Sequence, residues 1–205
     1  MQPPIRPPRG FRLRYALVVA ALAIAAAAAG CTKQGKPAAT PTTTTAAAAT
    51  PVSVKVTASA RGDGSSGALS QAADRAEPEL AKFLTRYVAT AFDPGAVKAG
   101  FKSFSSYFDP DLRGQASKEL ASLSLGDAAG RISRVSTQPG RARAVFLVQG
   151  GRPVAASVEL VVSGDAQVSG QENPAKVRLE ADLQLERGSG GWHIVAYDSQ
   201  ATVPK

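Results

Sequence analysis

The sequence predicts an α+β domain in which helices come first and an antiparallel sheet follows. Two observations carry this. Apolar residues recur every three or four positions up to about residue 126, and from Arg131 onward they recur every second position. The second region is also cut at intervals by Pro-Gly and Gly-Gly pairs, which punctuate strands.

Two segments precede that domain. Arg6, Arg9, Arg12 and Arg14 stand in an N-terminus without acidic residues, followed by an apolar run from Tyr15 to Ala29 that ends in small side chains. A basic start, a short apolar run and a small-residue cleavage site read as an export signal over residues 1–30. The run is shorter than the roughly twenty residues a spanning helix needs. The segment Ala28-Ala29-Gly30-Cys31 ends in the only cysteine of the chain. It resembles the lipobox of bacterial lipoproteins, with alanine at position 28 where leucine is commoner. That resemblance implies a diacylglycerol thioether on Cys31 and cleavage before it. A single cysteine also excludes an intrachain disulfide. Two acyl chains would hold a soluble domain at a membrane, where one anchors only marginally.

Residues 31–73 read as a linker. "TKQGKPAATPTTTTAAAATP" has no acidic or aromatic residue and buries too little apolar surface to offset its ordering entropy. Its twenty residues span about 25 Å as a coil and about 60 Å as polyproline. "VSVKV" alternates, so 52–58 is either a short edge strand or more linker. Arg61-Gly62-Asp63 matches an adhesion tripeptide but reads as part of a flexible Gly/Ser-rich turn.

The domain is expected over 74–205. Leu80, Phe83, Leu84, Tyr87, Val88 and Phe92 share helical spacing, with Glu77, Pro78 and Glu79 suited to a helix start. A second helical segment carries Val97, Phe101, Phe104, Tyr107 and Phe108, and a third runs over 109–126. "ISRVST", "RARAVFLVQ" and "PVAASVELVVSG" read as strands. In the last pair, Val177, Leu179, Ala181, Leu183 and Leu185 share a face, and a tight loop pairs Arg187 with Trp192. Trp192, Ile194 and Ala196 then fall on the apolar face, and His193 falls opposite Glu186.

Helices followed by a meander that closes on "GGWHIVAYDS" resemble the nuclear-transport-factor-two-like superfamily over residues 74–203. The closing hairpin is also similar to that of actinobacterial Mce-associated proteins. The resemblance implies a cone-shaped α+β fold, with a curved sheet wrapping a pocket. In such a cone Trp192 and Asp198 are the candidate pocket residues, Asp198 continuing the Trp192 face toward the mouth.

Chemistry is sparse. Enzymes of that superfamily use pocket carboxylates or a His–Asp pair, whereas His193, the single histidine, is expected in a solvated cross-strand pair. No metal-ligand spacing, phosphate-binding glycine loop or nucleophile elbow occurs, so neither cofactor nor metal is expected. The net charge is +8; without the four leader arginines 20 basic residues stand against 16 acidic, a net +4. No basic cluster interleaves with aromatics, which disfavours nucleic acid. The expectation is a lipoprotein tethered through Cys31 on the extracytoplasmic side of the membrane, with a non-enzymatic binding or accessory domain. Its partner would be a cell-wall or transport-complex protein or an apolar ligand. A lipid-carrying role and a pocket isomerase or dehydratase are the alternatives.

Overall fold

The computed structural model describes residues 52–204. The expected export signal, Cys31 and most of the expected linker lie outside the described residues. Among these residues no helix is long and apolar enough to cross a membrane.

The domain begins earlier than residue 74. Val54 and Val56 are buried, and β1 (Val54–Gly62) pairs in parallel with β3 (Gly140–Gln149), from Val54↔Gly140 to Gly62↔Val148. Arg61 and Gly62 are therefore the end of a strand, and Asp63, whose N–H donates to the Val148 carbonyl at 3.0 Å, begins the bend after it. Gly62 has φ +127°, and a Cβ there would lie 2.1 Å from the Val148 carbonyl oxygen, so this close crossing requires glycine. Ser65 then accepts a hydrogen bond from the Ala68 N–H at 3.4 Å and caps α1 (Ser66–Ala91).

Pro78 lies inside α1 and does not start it. The carbonyl it leaves unpaired belongs to Asp74, on the solvent side, where water can satisfy it. The first turns of α1 escaped the periodicity because their buried residues are Ala72, Ala73 and Ala76, which let the helix approach the sheet but carry little apolar signal. The two expected later helices are broken into α2 (Pro94–Lys98), α3 (Arg113–Lys118) and α4 (Leu120–Leu123), with 3-10 turns at Phe101–Ser103, Ser105–Tyr107 and Gly126–Gly130. Gly100, at φ +81°, and Pro110 interrupt the segment.

The remaining strands are β2 (Ile132–Thr137), β4 (Arg152–Val168), β5 (Ala175–Gly188) and β6 (Gly191–Thr202). The curved sheet runs β1-β3-β4-β5-β6, and β2 pairs with the far end of β4. The parallel β1 makes it mixed where an antiparallel meander was expected. Its seventeen residues let β4 serve β3 along one stretch and β2 along another.

The helices pack on one face of the sheet. There Leu80, Leu84, Tyr87, Phe104 and Phe108 meet Phe146, Leu160, Leu179, Leu183 and Ile194, all 1 % exposed or less. Tyr87 and Phe108 ring centroids stand 6.4 Å apart and Phe108 and Tyr197 5.7 Å, edge to face. The expected register holds through the hairpin: Arg187↔Trp192, Glu186↔His193 and Leu185↔Ile194. It then shifts, because Gln184 faces Ala196 and Val195 is extra. Beyond this bulge the faces exchange, so Tyr197 turns inward while Ala196 and Asp198 are exposed.

Candidate functional site

The inward face of β5 does not end at Leu185. Arg187 continues it, with its guanidinium carbon 5.8 Å from the Trp192 ring centroid and Nη2 2.5 Å from Glu79 Oε2 on α1. Trp192 rests in turn on Phe146, with centroids 5.7 Å apart. This stack closes the core at the β5–β6 hairpin and forms a wall between two grooves.

On one side is a groove of about 300 Å³ lined by Glu79, Phe83, Arg86, Tyr107, Trp192 and His193, with Ser106 and the Gly190-Gly191 turn. The Tyr107 hydroxyl is fixed, 2.9 Å from Thr90 Oγ1 and donating to the Arg86 carbonyl at 3.0 Å. Trp192 Nε1 and His193 Nδ1 are buried without a hydrogen-bond partner among the described residues. A catalytic histidine needs a third group to orient its ring; no carboxylate does so here, and Glu79 is occupied by Arg187. The groove offers an indole, an imidazole and a guanidinium as contacts, without an oriented base.

On the other side lies a groove of about 720 Å³, within the range of about 300–1,000 Å³ usual for small-molecule sites. Arg75 comes from α1, Arg152 from the start of β4 and Arg187 from the end of β5; Ala72, Ala76, Pro153 and Val154 form the apolar floor. Arg152 is placed by the Gly150-Gly151 turn, whose φ angles of +56° and +75° suit a two-residue hairpin of the glycine-dependent type. No acidic residue lines this groove, and Arg75 and Arg152 make no ion pair among the described residues. It stands at the end of the sheet where Gln149 pairs with Arg152, opposite the end where Val54 pairs with Gly140 and the chain enters.

Of the two candidate pocket residues, only Trp192 faces the helix layer. Asp198 is on the outer face, directly opposite Asp182, and the β6 bulge is the reason. Sequence reasoning missed Arg75, Arg152 and Arg187, which three separate elements bring together; the end of the inward alternation at Arg187 was the available signal. Two tyrosines carry phenols raised above their ordinary range. Tyr87 is raised by burial and then by Tyr197 and Tyr107; Tyr197 by burial and then by Glu119, whose Oε2 accepts its hydrogen bond at 2.7 Å. Both hold the helical segments on the sheet. Among the described residues no group of three His, Cys, Asp or Glu side chains could hold a metal ion.

No family model and no curated protein matches the chain. Two solved structures are similar in part. The Kfla4162 protein from Kribbella flavida is 13 % identical with a TM-score of 0.41, over 64 % of this chain and 94 % of that one. The intermembrane space region of the chloroplast protein ARC6 is 14 % identical with a TM-score of 0.34, over 59 % and 93 %. Neither is similar enough to lend this chain a function.

Proposed function

We propose that this chain is an extracytoplasmic binding lipoprotein. Cys31 carries the lipid, the Thr/Ala/Pro-rich segment spaces the domain from the membrane, and a nuclear-transport-factor-two-like domain binds an anionic group at its far end. The observation that carries the binding role is the groove of Arg75, Arg152 and Arg187. Of the three guanidiniums there, Arg187 is paired with a carboxylate, that of Glu79, and Arg75 and Arg152 make no ion pair among the described residues. Guanidinium forks suit phosphate and carboxylate oxygens.

The filled interior favours this reading over the alternatives. Among the described residues the buried polar side chains are Ser124 and Thr137, with no buried carboxylate to serve as a pocket base. The space under the sheet, where a lipid chain would lie, is occupied by Tyr87, Phe104, Phe108 and Phe146.

Calorimetric titration of the full chain with inorganic pyrophosphate tests the site. Saturable binding is expected, weakened tenfold or more in Arg75→Ala/Arg152→Ala with the unfolding temperature unchanged, because both residues are exposed. Arg187 is left in place because it also holds Glu79 and covers Trp192. Equal binding by the double variant would overturn the assignment.

A further inference from the structure

Apart from its three arginines, the groove of Arg75, Arg152 and Arg187 is lined by Ala72, Ala76, Pro153, Val154 and three glycines. Its side chains are thus guanidiniums and small apolar groups. No hydroxyl, amide, imidazole or aromatic side chain lines it, so no side chain there recognises the hydroxyls of a sugar or stacks on a nucleobase. Two local features set this lining. Ala72 and Ala76 stand one turn apart on α1, and their short side chains leave the groove its depth. On β4 the register slips: Leu147 faces Ala155 but Val148 faces Pro153, so Val154 is the extra residue of a bulge. The bulge brings two consecutive apolar residues, Pro153 and Val154, to the groove, where a regular strand would turn one of them away.

The charge of the groove can be counted. Three guanidiniums line it, and among the described residues the carboxylate paired with them is that of Glu79, which takes Arg187 Nη2 at 2.5 Å from the α1 side. Asp74 and Glu186, next to Arg75 and Arg187 in the chain, do not line it. Three positive charges against one negative leave a net of two positive. A phosphate monoester carries about −1.5 to −2 at neutral pH and matches that balance, whereas a sulfate ester or a carboxylate brings a single charge. Glu79 and Arg187 are both partly exposed, so their pair is weak enough to yield the guanidinium to a ligand.

Building on the anion-site reading above, we propose that the ligand of this groove is a phosphate monoester whose ester group is apolar. The dianionic phosphate takes the guanidinium forks of Arg75, Arg152 and Arg187. The alkyl group lies on Ala72, Ala76, Pro153 and Val154. Glu79 sets the charge that the site matches: it lowers the attraction for every anion, and a dianion overcomes it where a singly charged group does not. Each methylene moved from water onto the apolar floor adds about fourfold in affinity. A sugar phosphate gains nothing from that floor, because a hydroxyl buried there without a partner opposes binding.

The test is calorimetric titration of the full chain with butyl phosphate, butyl sulfate and glycerol 3-phosphate, all short enough to stay out of the detergent micelles that hold a lipidated chain. Butyl phosphate is expected to bind about tenfold or more tighter than glycerol 3-phosphate, the gain of two buried methylenes. At neutral pH it should also bind about tenfold or more tighter than butyl sulfate, which has the same shape and half the charge. Arg75→Ala/Arg152→Ala should abolish that second preference. Glu79→Gln keeps a hydrogen-bonding partner for Arg187 and removes the charge, so it should tighten both butyl esters about threefold or more. Dodecyl phosphate carried in the micelles distinguishes the sources: binding to it as well as to butyl phosphate assigns the head of a membrane lipid, and binding to butyl phosphate alone a water-soluble ester. Absence of binding by every phosphate, pyrophosphate included, would remove the anion site and this ligand with it. Pyrophosphate binding with no preference for butyl phosphate over glycerol 3-phosphate or over butyl sulfate, or with no gain in Glu79→Gln, would keep the anion site and overturn the ligand class.

Discussion

Trp192→Ala is the sharpest probe of how the core closes. The indole is 3 % exposed, so nearly its whole side chain, on the order of 200 Å², is removed from water. At about 25 cal/mol per Å² that burial contributes about 5 kcal/mol. Losing the Phe146 ring contact and the Arg187 guanidinium above the ring adds about 1 kcal/mol. One term opposes these: Nε1 is buried without a partner, and removing it relieves about 1–3 kcal/mol. The net is about 3–5 kcal/mol, which matches the usual cost of truncating a core aromatic and is a large part of a typical domain's stability. His193, on the opposite side of the strand and half-buried, is the control; His193→Ala should lie within about 0.5 kcal/mol of wild type. Urea unfolding measures both. A cost below about 1 kcal/mol at Trp192, or a larger one at His193, would refute the register and the packing together.

Two further outcomes follow from the same packing. Tyr197→Ala should cost about 2–4 kcal/mol, because the ring packs edge to face on Phe108 and its hydroxyl holds Glu119, while Asp198→Asn should be neutral or slightly stabilising by relieving Asp182; equal costs in urea would remove the β6 bulge. Burial raises the Tyr87 phenol above its ordinary value of about 10, so its contribution is complete below about pH 10 and is lost as pH rises toward the folded value. Unfolding midpoints from pH 8 to 11.5 should therefore fall less steeply in Tyr87→Phe, and identical slopes would contradict that burial.

How much the sequence disclosed depended on periodicity. The hairpin from Val177 to Ile194 was legible to the residue because one-sided burial enforces a period of two. The same rule misplaced Asp198, since one inserted residue, Val195, reverses every later face. The contest between Ala196 and Tyr197 for the core was the clue: burying the aromatic ring is worth more than keeping the strand regular. The start of the domain was missed for a different reason. The buried side of early α1 is alanine, and Pro78 imitates a helix start while being tolerated in an exposed turn. The arginine groove does not follow from local pattern, because its three side chains come from α1, the start of β4 and the end of β5, which tertiary packing alone brings together.

The central claim is that the domain works from a membrane tether, and Cys31 decides it. Cells producing the full chain are fractionated, and the membranes of intact spheroplasts are treated with external protease. The wild type is expected in the membrane fraction, cleavable from outside and carrying a diacylglycerol mass on an N-terminal Cys31, while Cys31→Ala is released or remains unprocessed. Retention of Cys31→Ala at the wild-type level, or a mature mass without lipid, would contradict the account.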